Sequence, residues 1–200
     1  MFVHLKTKTI YSLLEGAIFA KALADRCNEF KMPAVGITDR ANLFGALEFS
    51  EVLSDNGIQP IIGCQLPINS EEINLKKFSA TNQISMLFLA KNEVGYRNLM
   101  ELSSKFFLND TYRFEGMRIS EIDKSSDGLI CLSGGDESPI NNLLRENKFK
   151  DAENLLLHFK RTFGNRLYLE INRHPLGDNF SMRVNTERNI LEMADTHNLL

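Results

Sequence analysis

Two lysines stand where the first β-strand of this chain is expected to end. The stretch FVHLKTKTIYSLLEG, residues 2–16, is typical of a strand that runs into a polar turn and the start of a helix. Chemistry in α/β folds usually lies at the carboxyl ends of the strands. Lys6 and Lys8 are two positions apart, so they share one face of an extended chain. Because two adjacent ammonium groups repel a metal cation, this pair predicts a pocket unsuited to metal binding.

The composition indicates one apolar core and no general affinity for polyanions. The chain has 200 residues, of which 43% are hydrophobic, which suffices for one large domain. The net charge of -3 excludes a strongly basic nucleic-acid binder. The three cysteines are far apart, which predicts reduced core thiols and not a disulfide framework or a zinc site: Cys27, Cys64 and Cys131. No apolar run approaches the roughly 18 residues of a membrane span, so we expect a cytoplasmic protein without a membrane partner.

Short apolar segments alternate with amphipathic ones along the chain. After the first strand, strands are predicted at residues 34–38, 58–68, 84–90, 129–133 and 166–171. Helices are predicted at residues 17–30, 44–53, 93–107, 119–123, 139–146, 149–163 and 182–198. Residues 70–82 are predicted as a loop or a β-excursion, and residues 109–116 as a loop. This alternation favours an α/β domain with a largely parallel sheet, open or closed into a barrel. The chain stops after a helix, so we expect further elements to follow residue 200.

Several stretches resemble a known family in order and in spacing. They are FVHL…YSLLEGA, MPAVGITDRANLFGALEF, GIQPIIGCQL, LAKNEVGYRNLMELSS, LICLSGG and LYLEINRH. Together they closely resemble the polymerase-and-histidinol-phosphatase (PHP) domain at the N-terminal end of the alpha subunit of bacterial DNA polymerase III. The resemblance covers residues 2–200, and residues 32–65 are its most specific part. It implies an α/β fold of the distorted (βα)7 PHP barrel type, truncated here before the last strand or strands.

The resemblance also implies that the metal site of the family is degenerate in this chain. In active members, His, Asp, Glu and Cys side chains at strand ends hold metal ions that activate water against a phosphate ester. The His-x-His motif is replaced by Lys6 and Lys8, and the Thr-Asp-His motif ends in Arg40. The other matched ligand positions carry Glu15, Gln65, Ser85 and Gly135. The last Asp-x-His motif would lie beyond residue 200.

The chemistry of these replacements predicts a pocket without metal and without cofactor. Lysine and arginine are protonated at neutral pH and offer no lone pair. Unit charges 4 Å apart repel by about 4 kcal/mol at an effective dielectric constant of about 20. Buried cations need compensating charge, so we expect salt bridges to take the place of the metals. The expected salt-bridge cluster comprises Lys6, Lys8, Glu15, Asp39, Arg40 and Glu170.

Two alternatives for the polar residues stay open. The basic residues could form a phosphate-binding patch, because lysine and arginine clamp phosphates: Lys6, Lys8, Arg40 and Arg173. The net acidity of the chain argues against this patch being the main grip on DNA. His4 lies on the predicted first strand and His174 follows the predicted strand at residues 166–171, so either could be a ligand. Hydrogen-bonded structural roles are nevertheless favoured for both, as for His158 and His197.

For function, the resemblance implies a catalytically silent PHP domain in a replicative DNA polymerase. Such a domain would brace the polymerase and dock the proofreading 3′–5′ exonuclease subunit. The implied partners are the rest of the alpha chain, the exonuclease, other holoenzyme subunits, and DNA through the parent protein. DNA-directed nucleotidyl transfer, with Mg²⁺, would belong to the polymerase core outside this segment. The alternative is an active metal-dependent phosphoesterase or 3′–5′ exonuclease that uses ligands beyond residue 200.

Overall fold

The fold is a mixed α/β arrangement built on one sheet. The computed structural model describes residues 2–73, 75, 84–173 and 180–199, and for residues 180–183 it describes the backbone alone. The strands in these ranges are β1 (Ala34–Arg40), β2 (Gln59–Pro67), β3 (Ser85–Ala90), β4 (Leu129–Leu132) and β5 (Leu167–Tyr168). The helices are α1 (Ala20–Glu29), α2 (Ala46–Asp55), α3 (Glu93–Leu108), α4 (Asp110–Glu115), α5 (Ile119–Lys124), α6 (Pro139–Arg145), α7 (Phe149–Phe163) and α8 (Phe180–Thr196). Short 3-10 helices lie at Gly135–Glu137 and Gly164–Arg166. The predicted α/β class is confirmed.

The sheet has the order β1-β2-β3-β4-β5, and one strand runs against the others. β1 pairs parallel with β2, and β4 pairs parallel with β5. β3 is antiparallel to both of its neighbours, and it is the exception among the described strands of a sheet that was predicted to be largely parallel. Pro67 at the end of β2 pairs with Ser85 at the start of β3. Because β3 begins at the edge where β2 ends, the chain can reverse there without a crossover.

The segment before α1 lies along β1, but it does not form the first strand that the sequence predicted there. A single parallel bridge joins His4 to Val35. The N–H of Gly36 donates to the carbonyl of His4 at 2.6 Å, and the N–H of Thr38 donates to the carbonyl of Thr7 at 2.9 Å. A Cβ on Gly36 would lie 2.5 Å from the carbonyl oxygen of Leu5, so only glycine permits this close approach. The segment therefore extends the sheet beyond β1.

Two hydrophobic clusters fix the helices against the sheet. The larger one packs α3, α6 and α7 against β2, β3 and β4 and includes Phe88, Leu99, Leu102 and Phe159. The smaller one packs α1 and α2 against β1 and includes Leu23, Val35, Phe49 and Leu53. Each such buried side chain contributes about 1.5–3 kcal/mol to stability. The three cysteines are buried free thiols, as predicted from their surroundings.

Some predicted boundaries were wrong. Residues 109–116 were predicted as a loop, yet α4 forms there, with the Asn109 side chain accepting from the N–H of Tyr112 at 3.3 Å. β5 has two residues instead of the predicted six. Of the loop predicted at residues 70–82, only residues 70–73 and 75 are among the described ones. None of the helices in the described ranges has both the length and the apolar character needed to cross a bilayer.

Candidate functional site

The positions that the resemblance matches to metal ligands meet at one edge of the sheet. Arg40 ends β1 and is paired in register with Gln65 of β2. Ser85 begins β3, and because β3 runs in the opposite direction, its start lies at the edge where β1 and β2 end. Gly135 opens the 3-10 helix that follows β4. The fold therefore brings together residues that the sequence separates by many elements.

Charged side chains alternate in sign around a closed ring at this edge. The Nζ of Lys8 lies 2.5 Å from Oε2 of Glu15, and Oε1 of Glu15 accepts from Nε of Arg40 at 2.6 Å. Nη2 of Arg40 lies 3.0 Å from Oε2 of Glu137. Oε1 of Glu137 lies 3.6 Å from Nζ of Lys8 and completes the ring. We call Lys8, Glu15, Arg40 and Glu137 the alternating ring.

Glu137 was not among the predicted site residues, although it has the most partners in the ring. Its Oε2 accepts from Nε2 of Gln65 at 2.6 Å and from Oγ of Ser85 at 2.7 Å. Nε2 of Gln65 also donates to Oγ of Ser85 at 2.6 Å. Two of the positions that the resemblance matches to metal ligands thus serve as donors to this carboxylate. Glu137 lies three residues after the LSG turn, and an acidic residue so close to a matched ligand position is a signal that could have identified it.

Lys6 is neutralised by a separate carboxylate. Its Nζ lies 3.2 Å from Oε1 of Glu170, which follows β5, and 3.2 Å from the carbonyl oxygen of Gly134. A Cβ on Gly135 would lie 2.8 Å from the same Oε1 of Glu170 and 2.1 Å from Nδ2 of Asn172. The space that a ligand side chain at position 135 would need is therefore occupied by the partner of Lys6 and by an amide.

Asp39 has a different role from the salt bridge that was expected for it. This side chain is buried, and its Oδ1 accepts from the N–H of Thr9 at 2.7 Å and from Oγ of Ser12 at 2.6 Å. Its Oδ2 accepts from Oγ1 of Thr9 at 2.7 Å. The partners that the structure gives Asp39 are hydroxyl and amide groups, so it holds the turn that carries Glu15 instead of neutralising a cation.

Ion pairing in the alternating ring favours the charged forms of Glu15, Glu137 and Arg40. Burial raises the pKa of Glu15, but hydrogen bonds from Arg40 and Lys8 outweigh it, and the pKa lies below its ordinary value. Burial also raises the pKa of Glu137, but the hydrogen bond from Ser85 and the charges of Arg40 and Lys8 outweigh it, so the pKa lies below its ordinary value. Burial disfavours the charged form of Arg40, but the carboxylates of Glu15 and Glu137 raise its pKa above the ordinary value.

Comparison with known proteins identifies the family. The family model for the PHP domain matches residues 4–174. This chain belongs to the PHP domain family. The resemblance that the sequence motifs indicated is therefore confirmed.

The relatives of this PHP domain are much longer proteins. The DNA polymerase III alpha subunit of Caulobacter vibrioides is 44% identical over 176 residues, 88% of this chain and 15% of that protein. The alpha subunit of Borreliella burgdorferi is 37% identical over 179 residues, 88% of this chain and 16% of that protein. The alpha subunit of Helicobacter pylori strain 26695 is 33% identical over 213 residues, which cover 98% of this chain and 18% of that protein. The chain thus spans less than a fifth of the length of these curated relatives.

A solved structure is also similar at a low level. A Bifidobacterium adolescentis protein assigned as a metal-dependent phosphoesterase aligns over 99% of this chain and 84% of its own, with 14% identity and a TM-score of 0.39. The family assignment rests on the sequence comparisons.

The residues of this PHP domain do not fit a metal cluster. Lys6, Lys8 and Arg40 have no lone pair for a metal and would repel it. The carboxylates of Glu15, Glu137 and Glu170 already bind those cations at the distances given above. Among the described residues, no three His, Cys, Asp or Glu side chains are arranged to hold an ion. In that part of the PHP domain, positions that would have to provide metal ligands carry the cationic side chains of Lys6, Lys8 and Arg40 instead.

The balance of charges at this edge also argues against a phosphate-binding patch. Lys6, Lys8 and Arg40 are each paired with a carboxylate, so three positive charges face three negative ones at this edge. Arg173 lies apart from them and its Nη2 is 2.5 Å from Oε1 of Glu187. A phosphate would have to displace carboxylates that are already bound, which makes this edge a poor anion site.

The three histidines that the structure describes lie outside the ring. His158 contacts Asp123 at 3.0 Å, and His197 contacts Glu153 at 2.9 Å, which agrees with the structural roles favoured for them. His4 bridges β1 through its backbone, and its ring packs edge-on against Phe2. His174 lies outside the described residues. Burial raises the pKa of Cys64 and of Cys131, so neither thiol is activated as a nucleophile.

Proposed function

We propose that this chain is a catalytically silent PHP domain of a DNA polymerase III alpha chain, in which ion pairs replace the metal cluster. The observation that carries the proposal is the alternating ring of Lys8, Glu15, Arg40 and Glu137. A metal cluster gives a PHP barrel internal cross-links between strand ends. The ring makes equivalent cross-links between the turn before α1, the end of β1 and the 3-10 helix after β4.

The proposal has an energetic basis, because each charged side chain in the ring depends on the opposite charges of its two neighbours. Removing one partner from a buried pair leaves an uncompensated charge, which destabilises a fold strongly. The ring side chains are 21% to 34% exposed, so water screens them in part. With those positions committed to structure, a water-activating metal has no ligands. The domain then contributes rigidity to the parent polymerase, whose nucleotidyl transfer would use Mg²⁺ in another part of the chain.

The second part of the proposal concerns partners. The domain supports the rest of the alpha chain and offers a docking surface to a separate proofreading 3′–5′ exonuclease subunit, with other holoenzyme subunits and DNA reached through the parent protein. Support comes from the identity of the relatives, which are alpha subunits, and from a silent site that leaves proofreading to another protein. Exposed apolar side chains provide contact area for such partners, among them Phe44, Leu47, Leu108 and Phe114.

The silent site is tested by an activity assay on the full-length chain. Purified protein is incubated with Mn²⁺ or Zn²⁺ and with a single-stranded DNA labelled at its 5′ end, and shortening of the strand is followed on a gel. We expect no shortening above that of a sample treated with chelator, while polymerase activity in Mg²⁺ shows that the protein is intact. Metal-dependent shortening that disappears in the Glu137→Gln variant would instead establish an active phosphoesterase.

Docking is tested by co-purification. The tagged full-length chain should retain the exonuclease subunit of its own organism, and a chain lacking residues 1–200 should lose it. Assembly with the other holoenzyme subunits, measured on the same two proteins, is the control for correct folding of the remainder. Equal retention of the exonuclease by both proteins would reject this domain as its docking site.

A further inference from the structure

An exposed aromatic pair lies where α3 meets the turn between β1 and α2. The rings of Phe44, in that turn, and Phe107, near the end of α3, stack with their centroids 5.8 Å apart. Oγ of Ser103 donates to the carbonyl of Ala41 at 2.9 Å and holds the two elements together. The stacked rings are therefore fixed by the fold, yet Phe44 is 67% and Phe107 is 40% exposed.

Two more exposed apolar side chains extend this pair. Leu47, on the first turn of α2, is 71% exposed, and Met100 on α3 is 41% exposed. Met100 lies two helical turns before Phe107, so the two share one face of α3. We call Phe44, Leu47, Met100 and Phe107 the apolar patch. Its two rings alone leave about 200 Å² in water, and the whole is comparable to the largest patches of monomeric proteins, which are about 300–600 Å² and often functional.

The helix beside the apolar patch carries only negative charge. α2 contains Glu48, Glu51 and Asp55 but no lysine or arginine. Within the described part of the chain, none of these three carboxylates forms an ion pair, and Oε2 of Glu48 accepts instead from the neutral hydroxyl of Tyr11 at 2.7 Å. Their charges are therefore available to a cationic partner.

The cations of α3 cannot serve this purpose because they are already paired. Nη2 of Arg97 lies 2.6 Å from Oε1 of Glu93, and Nζ of Lys105 lies 2.7 Å from Oε1 of Glu101 and 2.9 Å from Oε2 of Glu121. The potential over the apolar patch is thus set by the carboxylates of α2. Such a surface attracts lysine and arginine and repels acidic partners.

We propose that the apolar patch docks a basic amphipathic segment of a separate protein subunit, with lysine or arginine beside Glu48 and Glu51. This inference rests on the docking role proposed above and gives it a surface and a partner chemistry. The stacked rings of Phe44 and Phe107 provide a rigid contact area of the kind that dominates binding energy. Permanent interfaces are more apolar and have little charge at their centre, so the carboxylates favour a separate partner over the rest of the parent chain.

The test measures binding of a defined probe to the full-length chain. The probe is fluorescein-labelled acetyl-LKKLLKLLKKLLKL-amide, a basic amphipathic helix, and the matched acidic peptide has glutamate in place of every lysine. Fluorescence anisotropy at low and at high salt measures the affinity of each peptide. We expect saturable binding of the basic peptide that weakens severalfold at high salt, and no binding of the acidic peptide at the same concentrations.

Variants locate the bound peptide. Phe44→Ser should weaken binding of the basic peptide about tenfold, and Glu51→Lys should weaken it severalfold. The matched controls are Phe30→Ser and Asp127→Lys. Phe30 is 65% exposed and Asp127 is exposed, and they precede β1 and β4, at the end of the sheet opposite to Phe44. Both controls should bind the peptide as wild type does.

The thermal unfolding midpoint of each variant, followed by circular dichroism, shows whether the fold is intact. If Phe44→Ser is unfolded, Leu47→Ser at the more exposed position replaces it and carries the same expectation. Absence of saturable binding to wild type, or equal binding by wild type and the folded patch variant, would overturn the proposal. Both results are distinct from failure of the docking role itself, which is measured by retention of the exonuclease subunit after removal of residues 1–200.

Discussion

Nζ of Lys6 and Oε1 of Glu170 lie 3.2 Å apart although 164 residues separate them in the sequence. Lys6 belongs to the segment beside β1, at one side of the sheet, and Glu170 follows β5, at the other side. A contact between the two outer sides requires the sheet to curl on itself. The ion pair therefore cross-links the curved sheet at the edge where the alternating ring lies, and this curvature agrees with the barrel type that the sequence predicted.

The first prediction concerns Glu137, which we expect to hold the alternating ring together. Glu137→Gln keeps the shape but removes the charge that faces Arg40 and Lys8. Hydrogen bonds to charged groups contribute about 1.5–3 kcal/mol, and partial exposure reduces this, so we expect a loss of about 1 to 2 kcal/mol. Urea unfolding followed by circular dichroism measures it. The control is Glu93→Gln in an exposed pair with Arg97, which should cost less than about 0.5 kcal/mol. Equal losses in the two variants would contradict a special role for the ring.

The second prediction concerns pH. The folded-state pKa values of Glu15 and Glu137 lie below their ordinary value, so the ionised forms stabilise the fold. That stabilisation is fully present above the ordinary glutamate pKa of about 4.3 and is lost as the pH falls through the lowered folded values. The free energy of unfolding of wild type should therefore exceed that of a Glu15→Gln, Glu137→Gln double variant at neutral pH, and the difference should shrink below about pH 4. A difference that stays constant over this range would show that ionisation is not its cause.

The third prediction concerns Gly135, one of the positions that the resemblance matches to a metal ligand. Gly135→Ala introduces a Cβ that would displace Glu170 from Lys6, and it places an alanine at a φ of +60°. Gly57→Ala is the matched control, because Gly57 has a φ of +71° and no atom within 4 Å of its Cβ position. Both variants bear the backbone strain of positive φ, so the excess loss in Gly135→Ala reports the displacement of Asn172 and the disturbed ion pair of Glu170, and it should be about 1 kcal/mol. Equal losses of stability in the two variants would show that Glu170 adjusts to the added Cβ without weakening its ion pair with Lys6.

The fourth prediction concerns Asp39, which holds the turn that carries Glu15. Asp39→Asn replaces an oxygen that accepts from Thr9 or Ser12 by an amide donor and should cost about 1–3 kcal/mol. Loosening the turn should also speed proteolysis near Leu13 and Leu14, which are exposed, the latter with a φ of +64°. Asp55→Asn, at the exposed end of α2, should change neither stability nor cleavage. A purely electrostatic role for Asp39 would instead change stability without changing the cleavage rate of the turn.

Much of the fold could be predicted because local signals agree with tertiary packing. The apolar spacing of Leu99 and Leu102 and the cap at Asn92 define α3, and the structure places this helix as expected. The direction of β3 could not be predicted, because a buried apolar strand has the same composition in either direction. The helix α4 was missed because its six residues are too few for a clear periodicity, although Asn109 carries a capping signal.

The partners within the site could be predicted only in part. The charges of Lys6, Lys8 and Arg40 demand nearby carboxylates, and Glu15 is close enough in sequence to Lys8 to be an obvious candidate. Glu137 is 97 residues from Arg40, and no local pattern connects them. Asp39 was expected among the ion pairs by proximity, but the N–H of Thr9 and the hydroxyl of Ser12 reach it instead. Pairing across the sheet edge depends on curvature, which residue types alone do not specify.

The most direct measurement is the number of metal ions bound per chain. The full-length protein is incubated with Zn²⁺ or Mn²⁺, dialysed, and analysed by plasma mass spectrometry, with a PHP domain that retains its His-x-His motif as the positive control. Because protonated Lys6, Lys8 and Arg40 occupy the site, we predict no stoichiometric metal on this domain, and a full complement on the control. Stoichiometric Zn²⁺ or Mn²⁺ that survives dialysis and is lost in Glu137→Gln would contradict the replacement of metals by ion pairs.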